Sequence, residues 1–428
     1  MVKKNKKKIV VLGGGFAGIR VVQDLAKQFA KFSRLARDYE IILVDQNSFH
    51  VFKADLYEVV AAFNKKISDQ CLTVLKETVA TPIEKLIDKK FVKFIQDEIL
   101  LIDPNKRVVT IKRSGKLSYD YLVVALGSAP NYFGIPGLKE FSFIMQNVVD
   151  AIKLSCSLDH FFYQLWKTKK VRDVYITVGG GGATGVETVG ELAFAMKKLA
   201  QKYFYPLNKI HLQLVEGSKN LVGLSEKGTD VVLKRFEKIG VKAYLDSYIQ
   251  GLEKNKFLVK STDGVEKFLK SDIFIWTGGV MVSPIVTKSL GDKKLGGAIL
   301  VNSFLQSKSF SDIFAAGDNV FFPDPENKGK RIPMMAQFAF VEGSLVAENI
   351  MHLISGEAMI SFKASKSKLI LPIGGKYAVF NVGEKIFAGF FPWLLKRLVS
   401  LKYALSILPF FYALKKWWHT NEVFVKND

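Results

Sequence analysis

Cysteine is nearly missing from this chain: Cys71 and Cys156 are the only two in 428 residues, and no CxxC pair is present. That excludes a sequence-local redox disulfide and a cysteine-held cluster, and it points to a reducing compartment. No metal site is expected. Long apolar runs are also lacking. The longest charge-free stretch of the aromatic C-terminal region, 403–414, contains Pro409 and is far shorter than the roughly 20 residues of a spanning helix. The sequence therefore predicts no helix that crosses a bilayer. The start, MVKKNKKKIVVLGGG, is basic like a signal peptide, but its apolar run at 9–12 ends at once in glycines, so it reads as a basic tail entering a buried strand. Acidic residues are the third scarcity. Lysine and arginine total 62 against 40 acids, a net charge of +22, which favours an anionic partner such as lipid headgroups, nucleic acid or a phosphorylated ligand.

What the chain does have is glycine in two matching arrangements. KIVVLGGGFAGIRVVQDLAKQFA reads as a strand, then Gly13-x-Gly15-x-x-Gly18, then a helix with Ile19, Val22, Leu25, Ala26 and Phe29 on one side. The first glycine permits the tight turn, the second lets backbone approach a pyrophosphate, and the third lets helix lie close on strand. The next strand, YEIILVDQN, ends in Asp45, placed to accept hydrogen bonds from a ribose; the basic insert KFSRLARD lengthens the interval. DVYITVGGGGATGVETVGEL repeats the device with Gly180, Gly182 and Gly185, and KIHLQLVEGS ends in Glu216. An acid there suits a free 2′-hydroxyl, so the second nucleotide is expected to be NADH rather than NADPH.

Shorter marks follow. YDYLVVALGSAPNYFG runs into Gly127, DIFIWTGGV ends at Gly278 and Gly279, and SDIFAAGDNV ends in Gly317 and Asp318. Asp318, on a glycine turn before a helix expected to begin near Pro333, is suited to a ribityl chain. The fold class is thus α/β, with two Rossmann-like dinucleotide-binding domains and a C-terminal amphipathic helical region. The expected domains are 1–135 and 271–355 for the first nucleotide, 136–270 for NADH, and 356–428 at a membrane.

The order GGGFAG, ALGS…NYFG, GGGATGVE…GEL, WTGGV, FAAGD and MMAQFAFVEG resembles the two-dinucleotide-binding flavoproteins, and within them the type II (alternative) NADH:quinone oxidoreductases, over roughly 8–356. The resemblance implies noncovalent FAD on Gly13, Gly15, Phe16, Ala17, Gly18 and Asp45, with Ala125, Gly127, Gly317, Asp318 and Ala336. It implies NADH as substrate on Gly180, Gly182, Gly185, Glu187, Glu216 and Gly279, and a flavin between nicotinamide and quinone. Glu187, close behind the second loop, is expected to bond the nicotinamide ribose or flank the flavin; a first-turn charge serving the helix dipole is the plainer alternative. Gln337 is assigned to the quinone headgroup, and Met334 and Met335 to core packing. Two positions depart from the pattern: Val341 where the family often has a second glutamine, and Ala54 where it often has proline.

After Gly356 the chain is crowded with Phe, Trp, Tyr and Leu. At 100° per residue Leu394, Leu398, Leu401, Leu405 and Leu408 share one arc, with Lys396, Arg397 and Ser400 opposite. Trp393, Trp417 and Trp418 beside lysines suit an interfacial anchor on an anionic lipid surface. The expectation is a peripheral, non-pumping enzyme on the cytoplasmic face of the membrane that passes a hydride from NADH to FAD and two electrons to a membrane quinone. No specific nucleic-acid partner is expected, and a homodimer is left open. The alternatives are reduction of a ferredoxin-like protein, sulfide:quinone chemistry, which the two distant cysteines disfavour, and a nonenzymatic NADH-sensing flavoprotein.

Overall fold

The computed structural model describes residues 6–63, 75–221, 223–323, 329–364, 369–382 and 385–425; Cys71 and the lysines at positions 3–4 lie outside them. The chain divides into two compact units: 1–51, 81–129 and 280–366 form the first, and 52–80, 130–279 and 367–428 the second.

In the first unit, five parallel strands run in the order Ile313–Ala315, Tyr121–Val124, Lys7–Leu12, Tyr39–Asp45 and Val92–Gln96. The central strand is apolar along its length because both faces of a parallel sheet are covered; Ile9, Val10, Val11 and Leu12 are fully buried. The helix Phe16–Lys31 follows the first loop, and its expected inward residues Ile19, Val22, Leu25, Ala26 and Phe29 are all buried. The basic insert forms a short helix, Ser33–Asp38, with no buried residue, so it lengthens the connection without entering the core. A second long helix, Ala336–Ser355, crosses the first so tightly that Gly343 faces the backbone of Ala17.

The second unit repeats the plan. Its parallel strands are ordered Ser142–Phe143, Ile273–Trp276, Val174–Gly179, Ile210–Val215 and Val241–Tyr244. Ile273–Trp276 lies past residue 270, where sequence order put the return to the first domain; it pairs with Val174–Gly179 in this sheet. Helix Ala183–Lys202 follows the second loop and packs against the short helix Leu56–Ala61. A three-stranded antiparallel sheet, Leu369–Pro372, Ala378–Val382 and Lys385–Gly389, leads into two C-terminal helices, Phe390–Ile407 and Phe410–Phe424, which Pro409 separates.

The helix crossing in the first unit makes a testable demand. A Cβ at Gly343 would sit 2.5 Å from the carbonyl oxygen of Ala17. Gly343→Ala is therefore expected to force the helices apart at a cost of about 1–3 kcal/mol and to lower the melting temperature of the purified protein. An unchanged melting temperature would mean that the crossing is looser than this geometry.

Candidate functional site

Each sheet reverses its strand order beside the strand that leads into its glycine loop, Lys7–Leu12 in the first and Val174–Gly179 in the second, which opens a crevice at the strand ends. The two glycine loops sit at these crevices and match position for position. Gly13 and Gly180 adopt φ of +102° and +108°, a region closed to most side chains. A Cβ at Gly13 would lie 2.2 Å from the Ala125 carbonyl oxygen, and one at Gly180 would lie 2.5 Å from Gly278 Cα. These contacts set Ala125 against the first loop and Gly278 against the second. Gly18 and Gly185 would place a Cβ 1.8 and 1.9 Å from the carbonyl oxygens of Gly13 and Gly180. Gly15 and Gly182, in contrast, face open space, and the helices they precede have no side-chain cap. Uncapped amides beside open space are what a pyrophosphate needs. Phe16 and Ala17 form the first turn of the first helix; Phe16 meets His50 edge-on at 5.2 Å.

The two acids are also equivalent. Asp45 accepts from the Gly14 amide at 2.6 Å and the Asn47 amide at 2.7 Å; Glu216 accepts from the Gly181 amide at 2.6 Å and the Ser218 amide at 2.8 Å. Each carboxylate is thereby fixed as an acceptor at the end of its strand, and Asp45 Oδ1 also accepts from the Asn47 side-chain amide at 3.2 Å. His50, which sequence reasoning missed, is buried with Nδ1 2.9 Å from the Gly14 carbonyl oxygen and so braces the first loop from below.

Around Gly317 the structure adds four residues that the motifs did not reveal. Asn319 is fully buried, accepts from the Leu126 amide at 2.6 Å and donates to the Gly127 carbonyl at 2.7 Å, tying that turn to the Gly317 turn. Ser128 donates to Asp318 at 2.7 Å. Arg331 donates to the carbonyls of Asp318 and Val320, both at 2.7 Å. Glu342 accepts from the Gly317 amide at 2.5 Å, and burial pushes its carboxyl up to about 7, helped by Asp318 and opposed by the amide and Arg331. A small cleft lined by Gly317, Arg331, Met335, Ala339 and Glu342 lies beside this turn.

The helix expected near Pro333 begins at Ala336 instead. Arg331 is clamped to the preceding strand and bridges Pro323, which holds the chain extended through Met335. Ala336 and Gln337 do form the first turn, without a side-chain cap; Gln337 is exposed, and Met334 and Met335 are half-buried rather than core.

In the second unit, Glu187 is buried on helix Ala183–Lys202 and forms an ion pair at 3.2 Å with Lys396 of the C-terminal helix. Next to it Arg397 reaches Glu58 at 2.6 Å. The face holding Lys396 and Arg397, placed by the helical wheel opposite the apolar arc, is the inward face. Burial pushes the Glu187 carboxyl up to about 7, and Asp55 adds to this against the opposing pull of Lys396. Burial alone would lower the Lys396 pKa, but Glu187 and Asp55 more than offset it and leave the ammonium raised. Glu191 is buried on the same helix.

The outward face of these helices is apolar. Phe390, Leu394, Leu398, Val399, Leu405 and Phe410 are exposed, as are Phe391 at 70%, Phe411 at 84% and Trp418 at 71%. Trp393 departs from the expected anchor: it is buried beneath the Arg397 guanidinium, 5.2 Å from its ring. Trp417 is half-buried and donates to the Arg397 carbonyl at 2.9 Å, and Leu408 is buried. Among the described residues no helix is long and apolar enough to cross a membrane.

Two dinucleotide folds in one chain, each with its own loop and acid, define a two-nucleotide oxidoreductase. The sequence profile described as pyridine nucleotide-disulphide oxidoreductase matches residues 7–343. A type II NADH:quinone oxidoreductase of Staphylococcus epidermidis is 31% identical over 93% of this chain and 95% of its own length. One of Staphylococcus aureus is 30% identical over 96% and 99%. In fold the chain is similar to NDH2 from Plasmodium falciparum, solved in complex with NADH, with a TM-score of 0.84 at 18% identity over 99% and 98% of the two chains. It is also similar to the sulfide:quinone oxidoreductase of Aquifex aeolicus, with a TM-score of 0.74 at 20% identity over 98% and 92%. The chain belongs to the pyridine nucleotide-disulphide oxidoreductase family and, within it, to the type II NADH:quinone oxidoreductases.

Glu216 carries a specificity test. A 2′-phosphate would meet its fixed carboxylate, so kcat/KM is expected to favour NADH over NADPH, and Glu216→Arg is expected to narrow that ratio by at least roughly tenfold. Equal kcat/KM for both nucleotides in the unmutated enzyme would remove Glu216 from the ribose site.

Proposed function

We propose that this chain is a peripheral membrane flavoenzyme that oxidises NADH and reduces a quinone by way of noncovalent FAD. The observation that carries the reading is the duplicated loop and acid, one set in each unit, on a chain whose C-terminal helices turn an apolar face outward. We assign FAD to the first unit and NADH to the second, with the C-terminal helices as the membrane-facing part. Bound FAD supplies a ring system that takes a hydride from NADH and passes two electrons on to the quinone.

The chain's own residues bind, orient and supply a proton. The amides behind Gly15 and Gly182 hold pyrophosphates, Asp45 and Glu216 hold riboses, and Asp318, fixed by Ser128, is offered to a ribityl chain. The uncapped N-terminus of Ala336–Ser355 favours negative charge at its end. Gln337, exposed on that turn, is assigned to the quinone headgroup. Quinone reduction to quinol consumes one proton beyond the hydride. Glu187, with its carboxyl near neutrality and Lys396 beside it, suits proton donation in that step better than the nicotinamide contact expected from sequence.

Anaerobic stopped-flow separates these roles. NADH is expected to bleach the flavin absorbance of the enzyme, and a short-chain quinone to restore it. Glu187→Gln and Gln337→Ala are each expected to slow restoration by roughly 5- to 150-fold, equivalent to about 1–3 kcal/mol, and to leave bleaching nearly unchanged. Slower bleaching with normal restoration in Glu187→Gln would return Glu187 to the nicotinamide side. Failure of any quinone to restore the absorbance would remove the acceptor assignment.

We place the enzyme on the cytoplasmic leaflet, where anionic lipid complements the excess of 62 basic over 40 acidic residues. Deleting the C-terminal helices would strip Glu187 and Glu58 of their cations, so the lipid test uses outer-face substitutions instead. Each exposed aromatic contributes roughly 1.5–3 kcal/mol when buried in lipid. Phe391→Ser, Phe411→Ser and Trp418→Ser together are expected to weaken co-sedimentation with anionic liposomes by at least roughly 100-fold while turnover with soluble quinone persists. Undiminished co-sedimentation would assign that face another role.

A further inference from the structure

One turn in the second unit carries a residue that its own shape disfavours. The Ile135 amide donates to the Tyr132 carbonyl at 2.9 Å, and the two residues between them, Phe133 and Gly134, adopt φ of +51° and +69°. Positive φ at both central positions is the type I′ pattern, which Asn-Gly satisfies and a bulky side chain at the first position opposes. Burial does not compensate for the phenylalanine. Its neighbours Tyr132 and Ile135 pack against the core that holds Trp276 and Phe257, whereas Phe133 stays 62% exposed. An aromatic residue held in an unfavourable backbone region, without the burial that would offset the cost, marks a functional demand.

The ring is held at a definite place. The Trp276 indole N–H donates to the Asn131 carbonyl at 2.8 Å, the Asn131 amide donates to the Gly279 carbonyl at 3.1 Å, and the Asn131 side chain accepts from the Phe133 amide at 2.9 Å. These bonds tie the turn to the end of strand Ile273–Trp276. There the Phe133 ring lies over Gly279, where a Cβ would come within 3.1 Å of it, and it meets Trp276 edge-on with centroids 6.4 Å apart. The same strand end is locked to the second glycine loop. The Thr277 hydroxyl donates across the carbonyls of Gly179 and Gly180, at 3.0 and 3.1 Å, and Gly278 is the residue set against Gly180.

Strand order assigns the ring to one half of the dinucleotide. Val174–Gly179 lies between Ile210–Val215 and Ile273–Trp276. A dinucleotide crosses such a crevice with its pyrophosphate on the loop, and the acid that ends the next strand holds the ribose of the adenosine half. Glu216 stands on the Ile210–Val215 side, so the nicotinamide half extends to the opposite side, where Gly278, Gly279 and Phe133 are found.

We propose that Phe133 is a substrate contact, its exposed ring packing against the nicotinamide half of NADH and orienting it for hydride transfer. The inference rests on the assignment of NADH to the second unit. A ring already fixed by its turn loses little freedom on binding and offers a flat apolar face to a flat partner.

The test compares NAD⁺ with ADP-ribose, which keeps the adenosine half and the pyrophosphate but lacks nicotinamide, by calorimetric titration of the oxidised holoenzyme. Phe133→Asn gives the turn the residue it prefers and removes the ring. It is expected to leave the melting temperature at or above that of the unmutated protein, to raise the NAD⁺ dissociation constant by at least roughly fivefold, and to leave ADP-ribose binding unchanged. In stopped-flow the NADH concentration that half-saturates flavin bleaching is expected to rise by a similar factor, with reoxidation by quinone unaffected. Phe133→Tyr retains the ring and is expected to keep the unmutated affinity for both ligands. A ring that only props the turn would weaken both ligands alike when removed, and that result overturns the proposal, as does unchanged NAD⁺ binding in Phe133→Asn. Glu216→Arg separates the two failures. If it leaves ADP-ribose binding intact, the assignment of NADH to the second unit falls; if it weakens ADP-ribose while Phe133→Asn changes neither ligand, the Phe133 contact alone falls.

Discussion

Two ion pairs at 3.2 and 2.6 Å, Lys396 with Glu187 and Arg397 with Glu58, decide which way the first C-terminal helix faces. A cation taken from water costs several kcal/mol unless a partner meets it, so both must turn inward together once Glu187 and Glu58 are buried. With the polar face committed to the interior, Phe391, Leu394, Leu398 and their neighbours point out. The apolar surface proposed for lipid and the near-neutral carboxyl proposed for proton donation are thus two results of one constraint.

The nucleotide sites follow a different logic, in which the demands are local. Each loop needs a positive φ at its first glycine, open space at its second and helix-to-loop contact at its third, and each next strand needs an acid at its end. All four demands fall within one strand–loop–helix–strand stretch, so sequence spacing exposes them. That is why the two loops, Asp45 and Glu216, and the parallel sheets around them are legible in the sequence. The agreement of Gly14 to Asp45 and Gly181 to Glu216, both 2.6 Å, shows the same local solution reached twice.

Where the sequence misled, the deciding partner lay far along the chain. Lys396 and Arg397 meet carboxylates 209 and 339 positions away, and a helical wheel carries no sign of either. The wheel sets these charges opposite the apolar arc without showing what they meet, and Trp393, read as part of a lipid-interface anchor, lies instead buried beneath the Arg397 guanidinium. Pro333 has the right chemistry to open a helix, but the Arg331 clamp holds the chain extended past it. Asn319 stands beside the recognised Gly317 and Asp318, yet its role depends on a turn nearly 200 positions earlier.

Hydrogen exchange over Phe390–Ile407 in Arg397→Met tests the governing constraint most directly. Breaking a buried pair by removing one partner costs about 3–5 kcal/mol, so amide exchange in this helix is expected to accelerate by roughly 100- to several-thousand-fold, and Glu58→Gln added to Arg397→Met is expected to restore most of the protection. Protection of the helix unchanged in Arg397→Met would contradict the account, because its orientation would then be set by packing alone.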